Sequence, residues 1–175
     1  MPDAATPGER RGWALSPAAE GQGEREPRQV ARRHSRRLAL QVLYAADMAE
    51  QSQGEVDYAA TFEDVALHFD LAPGARAFAR ELVEGVSVGR ARIDACVTAH
   101  ARNWRMERMA TVDRNVLRLA VCELERADAP ASVVINEAIE LARDFGSDRS
   151  PSFVNGVLDA VARDLVPSAS VGQEP

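Results

Sequence analysis

Between positions 32 and 37 the chain reads RRHSRR, four arginines and a histidine in six consecutive residues. Guanidinium groups at this density repel one another unless anions lie among them, and the chemistry they suit is bidentate hydrogen bonding to phosphate or carboxylate oxygens. From Arg25 to Arg37 there are six arginines against Glu26 alone, a local balance of +5 in a protein of formal net charge −6. Helical periodicity begins here, which places Arg32, Arg33, Arg36 and Arg37 in the first turns of a helix. Cations there oppose the helix dipole, at roughly 0.3–1 kcal/mol each. A polyanion removes the conflict, because phosphates are drawn by both the dipole and the guanidinium forks. The competing reading is that the arginines are solvated charges paired with the chain's own acids.

No helix-turn-helix pair with a basic second helix is evident, and the positive charge lies on the first helix, so single-stranded RNA fits better than duplex DNA. Unpaired bases need stacking partners, for which Tyr44 and Phe153 are candidates.

No catalytic set is legible. The chain has no nucleophile elbow, Walker loop, HExxH or dinucleotide fingerprint. His34, His68 and His100 fall on separate segments, and the carboxylates of Glu81/Glu84 and Glu137/Glu140 read as solvated helix faces. Cys96 and His100 share a helical face, but no CxxC or HxxxH completes a zinc set, so neither metal nor cofactor is expected and the pair reads as structural. Two cysteines in amphipathic segments indicate buried thiols in a reducing, cytoplasmic setting. No apolar run approaches the roughly 18 residues of a membrane span, and no signal-type apolar core opens the chain. A membrane-surface role is also disfavoured, because the leucines and valines after the arginines are needed for a core.

The elements that must position these residues are helices. Composition, with aromatic residues at 5% and abundant alanine, leucine, valine and arginine, points to an all-α fold. About seven helical segments are expected in two packed helical subdomains. The first runs from about Gln29 to Ala49, with Leu38, Val42, Leu43 and Ala46 inward. The second, about Val56 to Phe69, carries Tyr58, Phe62, Val65 and Phe69. A third spans about Ala75 to Val88, and a fourth with Ile93, Cys96, Val97 and His100 follows a break at Gly89. Thr111 reads as the N-cap of the fifth, whose inward stripe is Val112, Val116, Leu119, Ala120 and Leu124, and Pro130 marks its end. The sixth begins near Ser132, and Gly146 stops it. Ser150 caps the seventh, Pro151 takes its first position, and Gly156 reads as a point of close approach by a neighbouring helix. Residues 1–28 read as a disordered arm and 167–175 as a disordered tail. The domain of 29–166 divides into two packed subdomains, of about 29–89 and 90–166, with a join around Arg102 to Met106.

Three blocks, "ARRHSRRLALQVLYAADM", "ATVDRNVLRLAVCEL" and above all "VVINEAIELARDFGSDRSPSFVNGVLDAVA", resemble the NusB transcription antitermination family, over about Ala31 to Arg163. The resemblance implies an all-helical NusB-like fold without enzymatic activity. It also implies binding of the single-stranded boxA element of nascent ribosomal RNA together with NusE, a protein of the small ribosomal subunit. The complex would act with RNA polymerase and other Nus factors against premature termination. Homodimers occur among relatives and are left open. Carried over position by position, the RNA surface would comprise Arg32, Arg33, Arg36, Arg37, Gln41 and Tyr44 on the first helix, and Arg149, Ser150, Ser152, Phe153 and Asn155 at its other edge. Two positions depart from the family pattern. Asp148-Arg149 replaces a Glu-Asp pair, and Ser152 stands where a lysine is common. A fused methyltransferase fragment is disfavoured by the lack of a methyl-donor motif, which leaves a helical protein-protein adaptor as the alternative function.

Overall fold

The computed structural model describes residues 25–71 and 74–165. The expected N-terminal arm, save its last residues, and the C-terminal tail lie outside the described residues. Within them the protein is all-α, with six helices and one 3-10 turn. The helices are α1 (Arg25–Gln53), α2 (Tyr58–Ala66), α3 (Ala75–His100), α4 (Thr111–Arg126), α5 (Ala131–Phe145) and α6 (Ser150–Leu165), and the 3-10 turn is Met106–Arg108. No helix among the described residues is long and apolar enough to cross a membrane.

α4 lies at the centre, packed against α1, α3, α5 and α6. Its expected stripe of Val116, Leu119, Ala120 and Leu124 is buried, but so are Leu117 and Val121 on the opposite side. The helix is buried on its polar side as well, where Asn115, Arg118 and Glu123 are enclosed and hydrogen-bonded. Around it stand Leu38, Val42 and Leu43 of α1, Leu82, Val86, Ile93 and Val97 of α3, Val134 and Ala138 of α5, and Val154, Leu158 and Val161 of α6, in one continuous core. α2 closes the outer side of α1 with Phe62, which is 1% exposed. Asp57 caps α2, its carboxylate accepting from the N–H groups of Ala59 and Ala60 at 2.9 and 3.0 Å.

Several expectations are corrected. The expected third and fourth helices are one helix, α3, of 26 residues, running through Gly89 without a break and across the expected subdomain boundary. Glycine costs a helix only about 1 kcal/mol, and here its lack of a side chain admits close packing. A Cβ at position 89 would sit 2.8 Å from Arg92 Nη2 and 3.2 Å from Ile93 Cδ1. Gly156 is the reverse case: nothing lies within 4 Å of a Cβ built there, so no neighbouring helix approaches it. α1 is already helical at Arg25, ahead of the expected Gln29. Thr111 is already helical and Ala110 occupies the cap position without a side-chain hydrogen bond. α4 ends at Arg126, before Pro130, through Ala127 in the left-handed region at φ 54°.

Candidate nucleic-acid interface

α1 presents one exposed stripe at helical spacing, Arg33, Arg37, Gln41, Tyr44 and Met48, of which Arg37 is half-buried. The stripe runs beside α5, and the acids of α5 hold its arginines. Arg33 donates from Nη2 and Nε to the two carboxylate oxygens of Glu137 at 2.8 and 3.2 Å. The Glu137 contact raises the Arg33 pKa, so the guanidinium is a fixed charge. Arg37 pairs with Asp144 and lies 5.9 Å above the Phe145 ring. Beyond it Gln41 and Tyr44 line a groove of about 470 Å³ with Leu40, Ala45, Val65, Val112 and Phe145. Asp113, next to Val112, is buried, and its Oδ1 has no hydrogen-bond partner among the described residues. The positive end of α4 compensates that charge.

Arg32 and Arg36 point elsewhere. Arg32 stacks over Phe78 of α3, 4.4 Å from the ring centroid, and has no ion-pair partner among the described residues. Arg36 is 4% exposed. Its Nε and Nη2 donate to both oxygens of Glu123 at 2.8 and 2.7 Å, so this arginine ties α1 to α4. The first turns of α1 and the start of α5 enclose a cleft of about 910 Å³ lined by Arg28, Arg32, Arg33 and Arg36 on one side and Pro130, Asn136 and Glu137 on the other.

The helix dipole has little hold on the cluster, because α1 is already helical at Arg25, which puts the arginines beyond its first described turn and the reach of an N-terminal partial charge. Three of the four arginines are instead met by the chain's own carboxylates. Sequence periodicity could not show this, because Glu123, Glu137 and Asp144 lie 87 to 107 positions away. The exposed pairs differ in kind from the buried one. Surface ion pairs contribute about 0–1 kcal/mol, so Arg33 and Arg37 can exchange a carboxylate for a phosphate at little cost.

At the α5–α6 turn the expected residues separate. Ser150 is 1% exposed. It does not cap α6 with its side chain. Its hydroxyl instead accepts from the Ser147 N–H at 2.9 Å and meets the Ser147 hydroxyl at 3.1 Å, which locks the turn. Gly146 serves this turn by closeness and not by a left-handed backbone, since a Cβ there would stand 2.6 Å from Ser150. Arg149 and Ser152 are exposed, while Phe153 and Asn155 are half-buried. Phe153 packs against Trp104, ring centroids 5.2 Å apart. Trp104, 54% exposed on the connection after α3, was not singled out by sequence spacing. Its one signal is an indole flanked by asparagine and arginine outside any apolar stripe.

Cys96 and His100 lie one turn apart on α3, and His100 meets the backbone and α6. His100 Nδ1 lies 2.8 Å from the Cys96 carbonyl and Nε2 2.8 Å from Asp164 Oδ2. Burial, with Glu125 nearby, raises the pKa of the Cys96 thiol. No group of three His, Cys, Asp or Glu side chains among the described residues could hold a metal ion.

These features define a small all-helical protein whose first helix presents arginine, amide and aromatic side chains along one face. The NusB family profile matches residues 33–163. A transcription antitermination protein NusB of Myxococcus xanthus is 48% identical over 134 residues, covering 75% of this chain and 94% of its own length. That of Anaeromyxobacter dehalogenans is 48% identical over 140 residues, covering 78% and 94%. Among solved structures, T. maritima NusB aligns with a TM-score of 0.67 at 34% identity, over 76% of this chain and 91% of that one. A structure described as antitermination factors NusB and NusE in complex with dsRNA aligns at 0.67 and 27% identity, over 77% and 97%. The chain belongs to the NusB family of transcription antitermination proteins.

Proposed function

We propose that this protein binds a boxA-type single strand of nascent ribosomal RNA together with NusE, and in that complex helps RNA polymerase resist premature termination. The observation that carries the reading is the α1 stripe. Arg33, Arg37, Gln41 and Tyr44 lie on one exposed line, with exchangeable ion pairs at one end and an aromatic groove at the other. Phosphates would take the places of the Glu137 and Asp144 carboxylates, while unpaired bases would meet Tyr44, Phe145 and, across the Ser147–Ser150 turn, Phe153. Arg32 would add a phosphate contact from the neighbouring cleft. Of the expected residues, Arg36 and Ser150 would act by holding this surface in place.

The related structure described as holding NusB, NusE and dsRNA supports a complex of these three kinds of component. A single strand is favoured for the bound segment because stacking on Tyr44 and Phe153 requires unpaired bases.

Binding of labelled boxA RNA, with and without NusE, tests the reading across a salt series. The expected slope of log affinity against log salt is about −2 to −4, at roughly 0.7 per phosphate on a single strand. Replacing Arg32, Arg33 and Arg37 by alanine should reduce its magnitude by about 2. Arg36 stays intact in this test, because its loss would strand the Glu123 charge and destabilise the fold. Equal affinity for boxA and scrambled RNA, or an unchanged slope in the triple variant, would refute the site. Binding of NusE without any gain in RNA affinity would favour the adaptor function.

A further inference from the structure

Ion pairing divides the arginines of this surface into two groups. Along α1, Arg33, Arg36 and Arg37 are matched to acids, but the arginines at the connection between α3 and α4 are not. Arg102, Arg105 and Arg108 are all exposed, and none has an ion-pair partner among the described residues. In their midst Trp104 packs on Phe153 with its ring tilted 54° and half its surface open.

The connection is built to hold this arrangement. Asn103 takes a left-handed backbone at φ 68°, and the Trp104 N–H donates to the Ala101 carbonyl at 3.0 Å. Met106 and Met109 are buried on either side of the 3-10 turn. Arg114 anchors that turn by donating to the Met106 carbonyl at 3.2 Å. An exposed indole on a pinned backbone loses little further freedom when a ligand binds, which favours recognition.

We propose that Trp104, seated on Phe153 and flanked by Arg102, Arg105 and Arg108, is a base-stacking platform that carries the RNA strand beyond the α1 stripe onto the α3–α4 connection. The proposal rests on the RNA reading above and extends it. The chain links the two surfaces. Arg37 covers Phe145, Phe145 bounds the Tyr44 groove, and the turn after Phe145 leads to Arg149, whose carbonyl accepts from the Phe153 N–H at 3.1 Å. Charge favours a polyanion over a protein partner here. Along the chain the exposed indole is flanked by Arg102, Asn103 and Arg105, and residues 102–108 carry three arginines against Glu107 alone. Flat aromatic faces interleaved with cations are what sequence-tolerant single-strand binding uses.

The chain carries two tryptophans, Trp13 and Trp104, so a Trp13→Phe chain labelled with 5-fluorotryptophan reports on Trp104 alone. With unlabelled NusE present, it would be titrated with two single-stranded RNAs, a boxA core and the same core extended at each end by about ten nucleotides, within the span of one such binding site. The extended RNA should shift the fluorine resonance and bind about tenfold more tightly than the core. Trp104→Leu, which still covers Phe153 but lacks the flat ring, should abolish most of that gain and leave core affinity unchanged. Replacing Arg102, Arg105 and Arg108 by serine should reduce the magnitude of the salt slope for the extended RNA by about 2, with no change for the core. The proposal is overturned if the extended RNA keeps its gain while the resonance stays still. A shift produced by NusE alone, before RNA is added, would also overturn it and assign the platform to a protein contact. Failure of the underlying RNA reading looks different, since neither RNA would then bind.

Discussion

At the scale of single residues, burial separates arginines that look alike in sequence. Arg33 and Arg36 each make a two-pronged contact with a glutamate, but the Arg33 side chain is 53% exposed and that of Arg36 5%. Removing Arg36 strands the Glu123 charge in the core, at a cost of about 3–5 kcal/mol. Arg33→Ala and Arg37→Ala should each change stability by less than about 1 kcal/mol. Urea unfolding of the three variants measures the contrast, and a small loss at Arg36 would mean that Glu123 finds water or another donor. The same exposure is why the proposed RNA contacts fall to Arg33 and Arg37 and not to Arg36. His100 supplies a pH signature. Its hydrogen bond to the Cys96 carbonyl and its contact with Asp164 raise its pKa above the usual 6.5, against the opposing effect of burial. The protonated ring also suits the C-terminal end of α3. A raised folded pKa stabilises fully below the unfolded value, and that contribution disappears as pH rises through the folded one. Thermal melts from pH 6 to 9 should therefore show a decline that His100→Gln flattens, by less than about 1 kcal/mol because Asp164 is largely exposed.

At the scale of elements, amphipathic spacing located five of the six helices to within a few residues, because each buries one stripe and shows water the opposite face. The exception was α3, where Gly89 reads as punctuation although the core-facing series Leu82, Val83, Val86, Ile93 and Val97 continues through it. Periodicity outweighs one glycine when both sides of the break keep the same phase. The site was legible in part. The arginine cluster, Tyr44 and Phe153 could be found from residue type and spacing, whereas the fate of Arg36, the burial of Ser150 and the role of Trp104 depend on contacts between distant segments. Gly156 also shows this limit, because a helical glycine beside a neighbour and one beside solvent look identical in sequence. With open space around position 156, Gly156→Ala should stabilise α6 by about 0.5–1 kcal/mol through helix propensity alone. Differential scanning calorimetry would read it as a rise in Tm, and a fall would show that the position is packed after all.

At the scale of the whole molecule, one carboxylate joins three helices. Asp47 of α1 is 3% exposed. It accepts from Arg114 at 2.8 and 3.2 Å, from Arg118 at 3.2 Å and from Asn115 Nδ2 at 3.1 Å, all on α4, with Arg90 of α3 at 3.4 Å. Arg118 in turn donates to Asp94 of α3 at 2.7 and 2.9 Å, so the network holds α1, α3 and α4 in one register. Burial pushes the Asp47 pKa up, but the hydrogen bond from Arg114 and the charges of Arg118 and Arg114 outweigh it, and the net shift is downward from 3.8. A depressed folded pKa gives stability that is complete above the unfolded value and is lost as pH falls through the folded one. Acid should therefore loosen the joint between the three helices as Asp47 takes up its proton. Asp47→Asn keeps the shape and much of the hydrogen bonding but leaves Arg114 and Arg118 under-compensated, which should cost about 3–5 kcal/mol near neutrality. Urea unfolding of both proteins at pH 7 and at an acid pH below the depressed folded value of Asp47 decides the matter. The two stabilities should converge in acid, and a gap that persists there would mean that the network acts through packing and not through the Asp47 charge.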